Sequence, residues 1–310
     1  MKISIVIPVY NSENFILKLI NKIEDVFQKL TYELEIILVD DGSTDNSWKN
    51  IIEIAGKNSN YKGIKFLKNY GQHNAILCGL RHADGNFCIT IDDDLQNPPE
   101  EIPKLIDHAI KNNNDLIFGK YIKKQSTPIR LIGSRFVSYC VNKIFLTKKN
   151  ITNSNFRLIR QDVVERIKLY KIGLPYINGL ALQNSQNPDN VLVEHHKRAD
   201  GKSTYTFAKI FKLLSVILFN YSSLPLRFVT IIGIIFSLIG FSMGTFFLID
   251  KFLNQGTYSG WASIFITLCF FSGLNLLILG ILGEYIIKIS NQTKNLKQYI
   301  VDEEINIQKK

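Results

Sequence analysis

The sequence predicts an α/β domain built on a mostly parallel sheet, followed by helices that associate with a membrane. Three observations carry that expectation. Short β-branched runs alternate with helical patterns through the first two thirds of the 310 residues, which implies a sheet with helices on both faces. Apolar residues concentrate in the last third, in two runs that exceed the roughly 20 residues needed to cross a hydrocarbon core. Acidic clusters directly follow two of the predicted strands, at the carboxyl ends where open α/β sheets bind ligands.

The elements follow in order. Residues 3–8 read as a strand, and residues 13–30 as a helix with Ile16, Leu19, Ile20, Ile23, Phe27 and Leu30 on one face and Ser12 as N-cap. Residues 34–39 form the second strand, ending in Asp40-Asp41-Gly42-Ser43-Thr44-Asp45. A helix over 46–57, a strand over 64–67 and a helix over 73–82 come next. Phe87-Cys88-Ile89-Thr90-Ile91 is a short buried strand, and it runs into Asp92-Asp93-Asp94-Leu95-Gln96-Asn97-Pro98-Pro99. A helix over 100–111 and a strand over 115–119 follow.

The three adjacent aspartates repel one another, so a positive partner is expected there. A hard divalent cation carrying a nucleotide diphosphate suits carboxylate oxygens; a solvated acidic turn is the plainer alternative. Pro8-Val9-Tyr10-Asn11-Ser12 lacks the glycines of a dinucleotide-binding turn, and no Gly-x-x-x-x-Gly-Lys occurs, so a Rossmann dinucleotide site and a P-loop are both excluded. Asp40 and Asp41 stand where a carboxylate can accept from a nucleobase edge and a ribose, or cap their own turn. The net charge of +10 fits anionic lipid or an anionic substrate, and nucleic acid is not needed to explain it. Cys78, Cys88, Cys140 and Cys269 show no metal spacing and read as apolar fillers in a reducing compartment. The chain opens directly on a strand pattern, which predicts no signal peptide and a cytoplasmic first domain.

Residues 228–249 and 261–287 are the expected spans. Lys202, Lys209, Lys212 and Arg227 precede the first, and Lys288, Lys294 and Lys297 follow the second, which places both flanks in the cytoplasm. Residues 205–221 carry Phe207, Ile210, Phe211, Leu214, Ile217 and Leu218 on one face, the pattern of a helix lying in the membrane surface or packed on the soluble domain. The boundaries are then 1–204 for the α/β domain, 205–227 for the juxtamembrane segment, 228–287 for a membrane hairpin and 288–310 for a cytoplasmic tail. Gly233, Gly240 and Gly244 offer close-packing faces, and a homo-oligomer is expected.

Several motifs then coincide in order: Ile7-Pro8-Val9-Tyr10-Asn11, Val39-Asp40-Asp41-Gly42-Ser43-Thr44-Asp45, Asn69-Tyr70-Gly71-Gln72-His73-Asn74-Ala75 and the Asp92–Glu101 stretch. His195-His196-Lys197-Arg198-Ala199-Asp200-Gly201-Lys202-Ser203-Thr204-Tyr205 and Leu282-Gly283-Glu284-Tyr285 extend the match. With these motifs the chain resembles the family 2 glycosyltransferases of GT-A fold that use polyprenyl phosphates. The resemblance implies an inverting transfer of one sugar from a nucleotide sugar, UDP-linked, to undecaprenyl phosphate at the inner face of a bacterial cytoplasmic membrane, for cell-envelope glycan modification.

It also implies the site. Pro8, Tyr10, Asp40, Asp41, Gly71 and Asp92 would bind the donor. Asp92, Asp94 and Gln96 would hold Mg²⁺ or Mn²⁺, with Asp93 facing the donor sugar or the sheet. Lys120, Arg130, Ser134, Arg198, Lys202 and Ser203 would bind the acceptor phosphate. Asp93, Asp94, Asn155 and Arg157 would serve the reaction. Two residues depart from the family pattern. Lys120 stands where relatives carry Arg, keeping charge without the bidentate fork. Asn155 stands where many carry Asp, and it cannot take a proton. Arg157 either contacts donor or acceptor or ties down its loop. A processive polysaccharide synthase would need more spans and a Gln-x-x-Arg-Trp, which is absent; a non-catalytic scaffold would not need intact Asp92, Asp94 and Gln96. Residues 173–189 are where donor choice is expected to lie.

Overall fold

A computed structural model describes residues 1–122, 151–170, 175–196, 224–254, 260–293 and 297–307. Arg130, Ser134, Arg198, Lys202, Ser203 and the juxtamembrane helix expected over 205–221 lie outside the described residues. The chain divides into two units, Met1–Thr206 with Leu296–Lys310, and Phe207–Asn295.

The first unit contains β1 (Lys2–Val9), α1 (Ile16–Phe27), β2 (Glu33–Asp40), α2 (Ser47–Lys57), β3 (Tyr61–Phe66), α3 (Gln72–Arg81) and β4 (Phe87–Thr90). After a single 3₁₀ turn come α4 (Ile102–Asn112), β5 (Leu116–Tyr121), β6 (Arg157–Arg160), α5 (Gln161–Lys168), α6 (Ile177–Asn184), β7 (Pro188–Val193) and, far along the chain, β8 (Val301–Ile305). One eight-stranded sheet runs β7-β5-β6-β4-β1-β2-β3-β8. The β3-β2-β1-β4 block is parallel, β6 lies antiparallel between β4 and β5, and β8 is antiparallel to β3.

The inner strands are buried on both faces, which explains their near-continuous Ile, Val and Leu runs. Alternation sorts the side chains. Ile3, Ile5, Ile7, Ile36 and Leu38 pack with Leu19, Ile51 and Leu105 of α1, α2 and α4 in one core. Val6 and Val39 point to the other face, where a Cβ at Gly79 of α3 would meet them. Helices therefore cover both faces, as the alternation predicts.

Three expectations differ from the structure. Helix α1 begins at Ile16 with no side-chain cap; the Ser12 carbonyl accepts from Phe15 N and Ile16 N, and its hydroxyl is committed elsewhere. The antiparallel β6 was not anticipated. The expected tail over 288–310 is not all tail: Val301–Ile305 is a sheet strand. Trp48 Nε1 donates to Glu303 at 3.1 Å, Tyr299 stacks on Phe66 at 4.7 Å, and Arg81 donates to the Tyr299 hydroxyl at 3.0 Å. A strand reading Val-Asp-Glu-Glu-Ile suits an edge, where charge discourages further pairing.

The turn after β2 demands glycine. Gly42 has φ +71°, and a Cβ there would lie 2.5 Å from the Lys68 carbonyl carbon and 2.7 Å from Asn69 N. Neither backbone atom can move without shifting the loop before α3. Gly42→Ala should therefore cost about 3 kcal/mol, strain and clash together, read as a lowered melting temperature.

The second unit contains α7 (Leu224–Asn254) and α8 (Trp261–Thr293). Among the described residues one helix is long and apolar enough to cross a membrane, over Phe270–Ile287 of α8. Leu276, Leu279 and Ile286 are exposed there. Helix α7 contains the run expected as the first span.

Candidate active site

The carboxyl ends of β1, β2 and β4 meet where the strand order reverses, β4 and β2 flanking β1; such a switch point opens a crevice. Three loops fill it, and hydrogen bonds knit them together. Asn11 N donates to Ser43 Oγ at 3.0 Å, and Thr44 N returns a bond to Asn11 Oδ1 at 2.9 Å. Asn11 holds φ +52° to do this, a conformation Asn tolerates better than most residues. Glu13 N donates to Asp45 Oδ2 at 3.1 Å and Asn46 N to Glu13 Oε2 at 2.9 Å.

Asp40 is fully buried. Its Oδ1 accepts from the Ser43 hydroxyl and from Ser43 N at 3.2 Å, the local turn bond, while Oδ2 is sealed without a partner. Burial raises its pKa, against the Ser43 bonds and the charge of Lys65. Asp41 reaches across instead. It accepts from Tyr70 N at 2.7 Å and Gly71 N at 2.9 Å, clasping the start of α3, where Gly71 takes φ +95°. Burial pushes its carboxyl up to about 6, and Asp40 adds to that rise. Pro8 is buried in β1 opposite Val39, and the Tyr10 side chain is 48% exposed at the crevice mouth.

The acidic turn after β4 is bent by Leu95, a non-glycine residue at φ +59°. Such a residue costs roughly 1–2 kcal/mol and persists where surroundings over-determine it, often at functional sites. The three aspartates go separate ways. Asp92 accepts from Gln72 Nε2 at 2.6 Å on Oδ1 and from Asn155 Nδ2 at 3.4 Å on Oδ2. Asp93 accepts from the Ser12 hydroxyl and from Tyr10 N at 3.1 Å, so it braces the loop after β1. Asp94 Oδ1 accepts from Gln96 N at 3.1 Å, and the Gln96 carbonyl accepts from His196 N at 2.9 Å.

Burial pushes the Asp92 carboxyl up to about 7, with the charges of Asp94 and Asp93 adding to it. Burial pushes Asp93 up to about 6. This is the electrostatic state that a divalent cation reverses, and the donor set is all oxygen, as Mg²⁺ and Mn²⁺ prefer. Among the described residues no three His, Cys, Asp or Glu side chains converge into a ready-made cage. Two carboxylates and an amide suit a cation that takes its remaining ligands from substrate phosphates and water.

The expected residues divide accordingly. Asp41, Gly71, Asp92, Asp93, Asp94, Gln96 and Asn155 lie in or beside the crevice. Lys120 is exposed near the end of β5 opposite Leu192. Arg157, expected among the groups serving the reaction, is completely buried at the start of β6 opposite Thr90. Reading the sequence missed Gln72, although it stands inside the Asn69–Ala75 motif, and Ser12, whose hydroxyl was assigned to a helix cap. It also missed Tyr121, whose hydroxyl lies 3.0 Å from Ser154 Oγ. Burial pushes that phenol up to about 12, and Asp92 and Asp94 contribute.

Comparisons with known proteins agree with this geometry. The family model described as glycosyl transferase family 2 matches residues 4–167. The undecaprenyl-phosphate 4-deoxy-4-formamido-L-arabinose transferase of Proteus mirabilis is 30% identical over 311 aligned positions, covering 99% of this chain and 95% of the relative. The protein of the same name from Yersinia pestis is 31% identical, covering 97% and 92%. Among solved structures, glucosyl-3-phosphoglycerate synthase from Mycobacterium tuberculosis, in complex with Mn²⁺ and UDP-glucose, is 15% identical with a TM-score of 0.51, covering 72% of this chain and 79% of that one; it shares the fold. The family match spans the strands that carry the aspartates, and the relatives match almost end to end: this chain belongs to glycosyl transferase family 2.

Proposed function

We propose that this chain transfers one sugar, with inversion, from a UDP-linked donor to undecaprenyl phosphate at the cytoplasmic face of a bacterial membrane. The observation that carries the reading is the half-buried Asp92–Asp94 turn at the switch point, tied on one side to Gln72, next to the Asp41–Gly71 clasp, and on the other to Ser12. The relatives named as undecaprenyl-phosphate transferases supply the acceptor class.

Asp41 and the loop it clasps would hold the nucleotide, with Pro8, Tyr10 and Asp40 around it. Asp92, Asp94 and Gln96 would hold Mg²⁺ or Mn²⁺. The cation, when bound, neutralises charge on the donor's diphosphate as a Lewis acid. The acceptor phosphate is largely a dianion at neutral pH, since a phosphomonoester has its second pKa at about 6. One of its oxygens forms a bond to the anomeric carbon as the bond from that carbon to the donor diphosphate breaks, and UDP leaves. No proton has to be removed from such a nucleophile, which accounts for an amide at 155. Lys120, Arg130, Ser134, Arg198, Lys202 and Ser203 would align the acceptor phosphate in line with the sugar, which is what an already ionised nucleophile needs.

Helices α7 and α8 would form a membrane hairpin with both flanks cytoplasmic. Gly233, Gly240 and Gly244 support association into a homo-oligomer.

The test incubates membranes containing the protein with undecaprenyl phosphate and labelled UDP-sugars, the 4-deoxy-4-formamido-L-arabinose donor among them. One sugar per extracted lipid is expected. A polymer would instead indicate a processive synthase, and no transfer from any donor would indicate a scaffold. A companion variant separates base from positioning roles. Removing a general base costs about 10²–10⁴-fold, whereas Asn155→Ala should lower kcat by less than about 10-fold, because it removes only a long hydrogen bond to Asp92.

A further inference from the structure

The loop over 67–71, between β3 and α3, is held from two sides. On one side lies the acidic loop after β2. Asp41 accepts from Tyr70 N at 2.7 Å and from Gly71 N at 2.9 Å, and the backbone at Gly42 packs against the Lys68–Asn69 peptide. On the other side lies the segment before β8. Leu67 N donates to the Ile300 carbonyl at 3.0 Å. The Tyr299 ring stacks on Phe66 at 4.7 Å between centroids, and Phe66 in turn meets the Tyr70 ring edge-on at 5.7 Å, both favoured aromatic geometries. Leu67, Lys68 and Asn69 are themselves exposed, so burial of their side chains does not fix the loop's course.

Tyr299 also reaches the far end of α3. Arg81, in the last turn, donates to the Tyr299 hydroxyl at 3.0 Å and lies over its ring, 5.6 Å from the centroid. Its Nη2 donates to the Tyr170 carbonyl at 3.0 Å, which fixes the guanidinium plane. One side chain thus braces α3 at both ends. That helix begins at Gln72, which holds Asp92, directly after Gly71, which Asp41 clasps. The strand itself is secured elsewhere. It pairs with β3, Glu303 accepts from Trp48 and Lys65, and Asn306 Nδ2 donates to the Ala55 and Tyr61 carbonyls at 2.7 and 2.9 Å. Those bonds suffice for an edge strand and need no aromatic ring beside the loop. Resting on the proposal that Asp41 and the loop it clasps hold the nucleotide, we infer that Tyr299 is a positioning residue of the donor site. It touches no donor. Its ring sets the place of Tyr70 through Phe66, and with it the two amides that orient Asp41. A donor that binds only when the loop is so placed must, by reciprocity, stabilise the docking of residues 299–305.

Two measurements on the full-length protein in detergent test this, with UDP and Mn²⁺ as the probe. The first needs no variant. Amide hydrogen exchange should slow on adding the probe over 67–75 and also over 299–305, which reports the coupling directly. Protection confined to 67–75 overturns the inference. The second compares Tyr299→Leu with two controls: Tyr299→Phe, which keeps the stack, and Asn306→Ala, which unties the other end of the same strand. Y299L should raise the Kd for UDP at least about fivefold well below its melting temperature, with the KM for the sugar donor rising in parallel and kcat within about twofold. Y299F and N306A should bind UDP within about twofold of wild type, although N306A melts lower. Wild-type UDP affinity in Y299L, or equal weakening in Y299L and either control, overturns the role of Tyr299 and leaves the donor site intact. A wild type that binds no UDP overturns the donor-site proposal and this inference together.

Discussion

Asp94→Ala should lower sugar transfer on the order of 10³-fold while the protein still folds and inserts in the membrane. The substitution removes a bond within the acidic turn itself, from the Gln96 N–H at 3.1 Å, and one of the two carboxylates proposed to face the donor's diphosphate. The contrast with Asp93 is informative. Asp93 holds Ser12 and Tyr10 N, so Asp93→Ala should lower the melting temperature as well as activity, by releasing the loop after β1. Label in extracted lipid, measured beside thermal melting of the purified variants, separates the two. Full transfer by the Asp94 variant, with or without added Mn²⁺, would remove Asp94 from the metal site.

Stability should depend on pH through Asp92. Its pKa stands near 7 in the folded chain against 3.8 as the ordinary value. Between about pH 4 and pH 7 the unfolded chain has released this proton while the folded chain retains it. The folded state then binds more protons, so stability falls as pH rises through that window. Asp92→Asn abolishes the fall. Allowing for water beside a half-buried carboxyl, the variant should gain on the order of 2 kcal/mol over wild type at pH 7.5, and almost nothing at pH 4. Melting curves at both pH values with a chelator present measure the difference. Mn²⁺ with UDP should raise the wild-type curve at pH 7.5 and leave the variant where it is. Parallel pH profiles for the two proteins would show that Asp92 carries no such strain.

Much of the site was legible in the sequence because its residues are local to strand ends. β1, β2 and β4 are apolar runs, and the acids that follow β2 and β4 are where such sheets place ligands. The long-range contacts were not legible. Ser12 reads as a helix cap, and nothing local reveals that Asp93 takes its hydroxyl. Arg157-Leu158-Ile159-Arg160 is only four residues long with arginine at both ends, yet it forms β6, since pairing with β4 and β5 outweighs its weak pattern. Arg157 was legible as a family position, but its burial against Asn178 depends on α6 docking beside α3. The segment Val301–Ile305 has three acids in five residues and no period-two alternation, and only the open edge of β3 makes a strand of it.

That last strand also sets the order in which the molecule can be finished. Trp48 and its partner Glu303 are 255 positions apart, with both long apolar helices between them. At ~5–20 residues per second, synthesis leaves the outer edge of β3 uncovered for some tens of seconds. During that interval the nascent domain presents an open template to other chains. The sheet closes after the apolar helices have been made, so completing this domain is a late step in the life of the new chain.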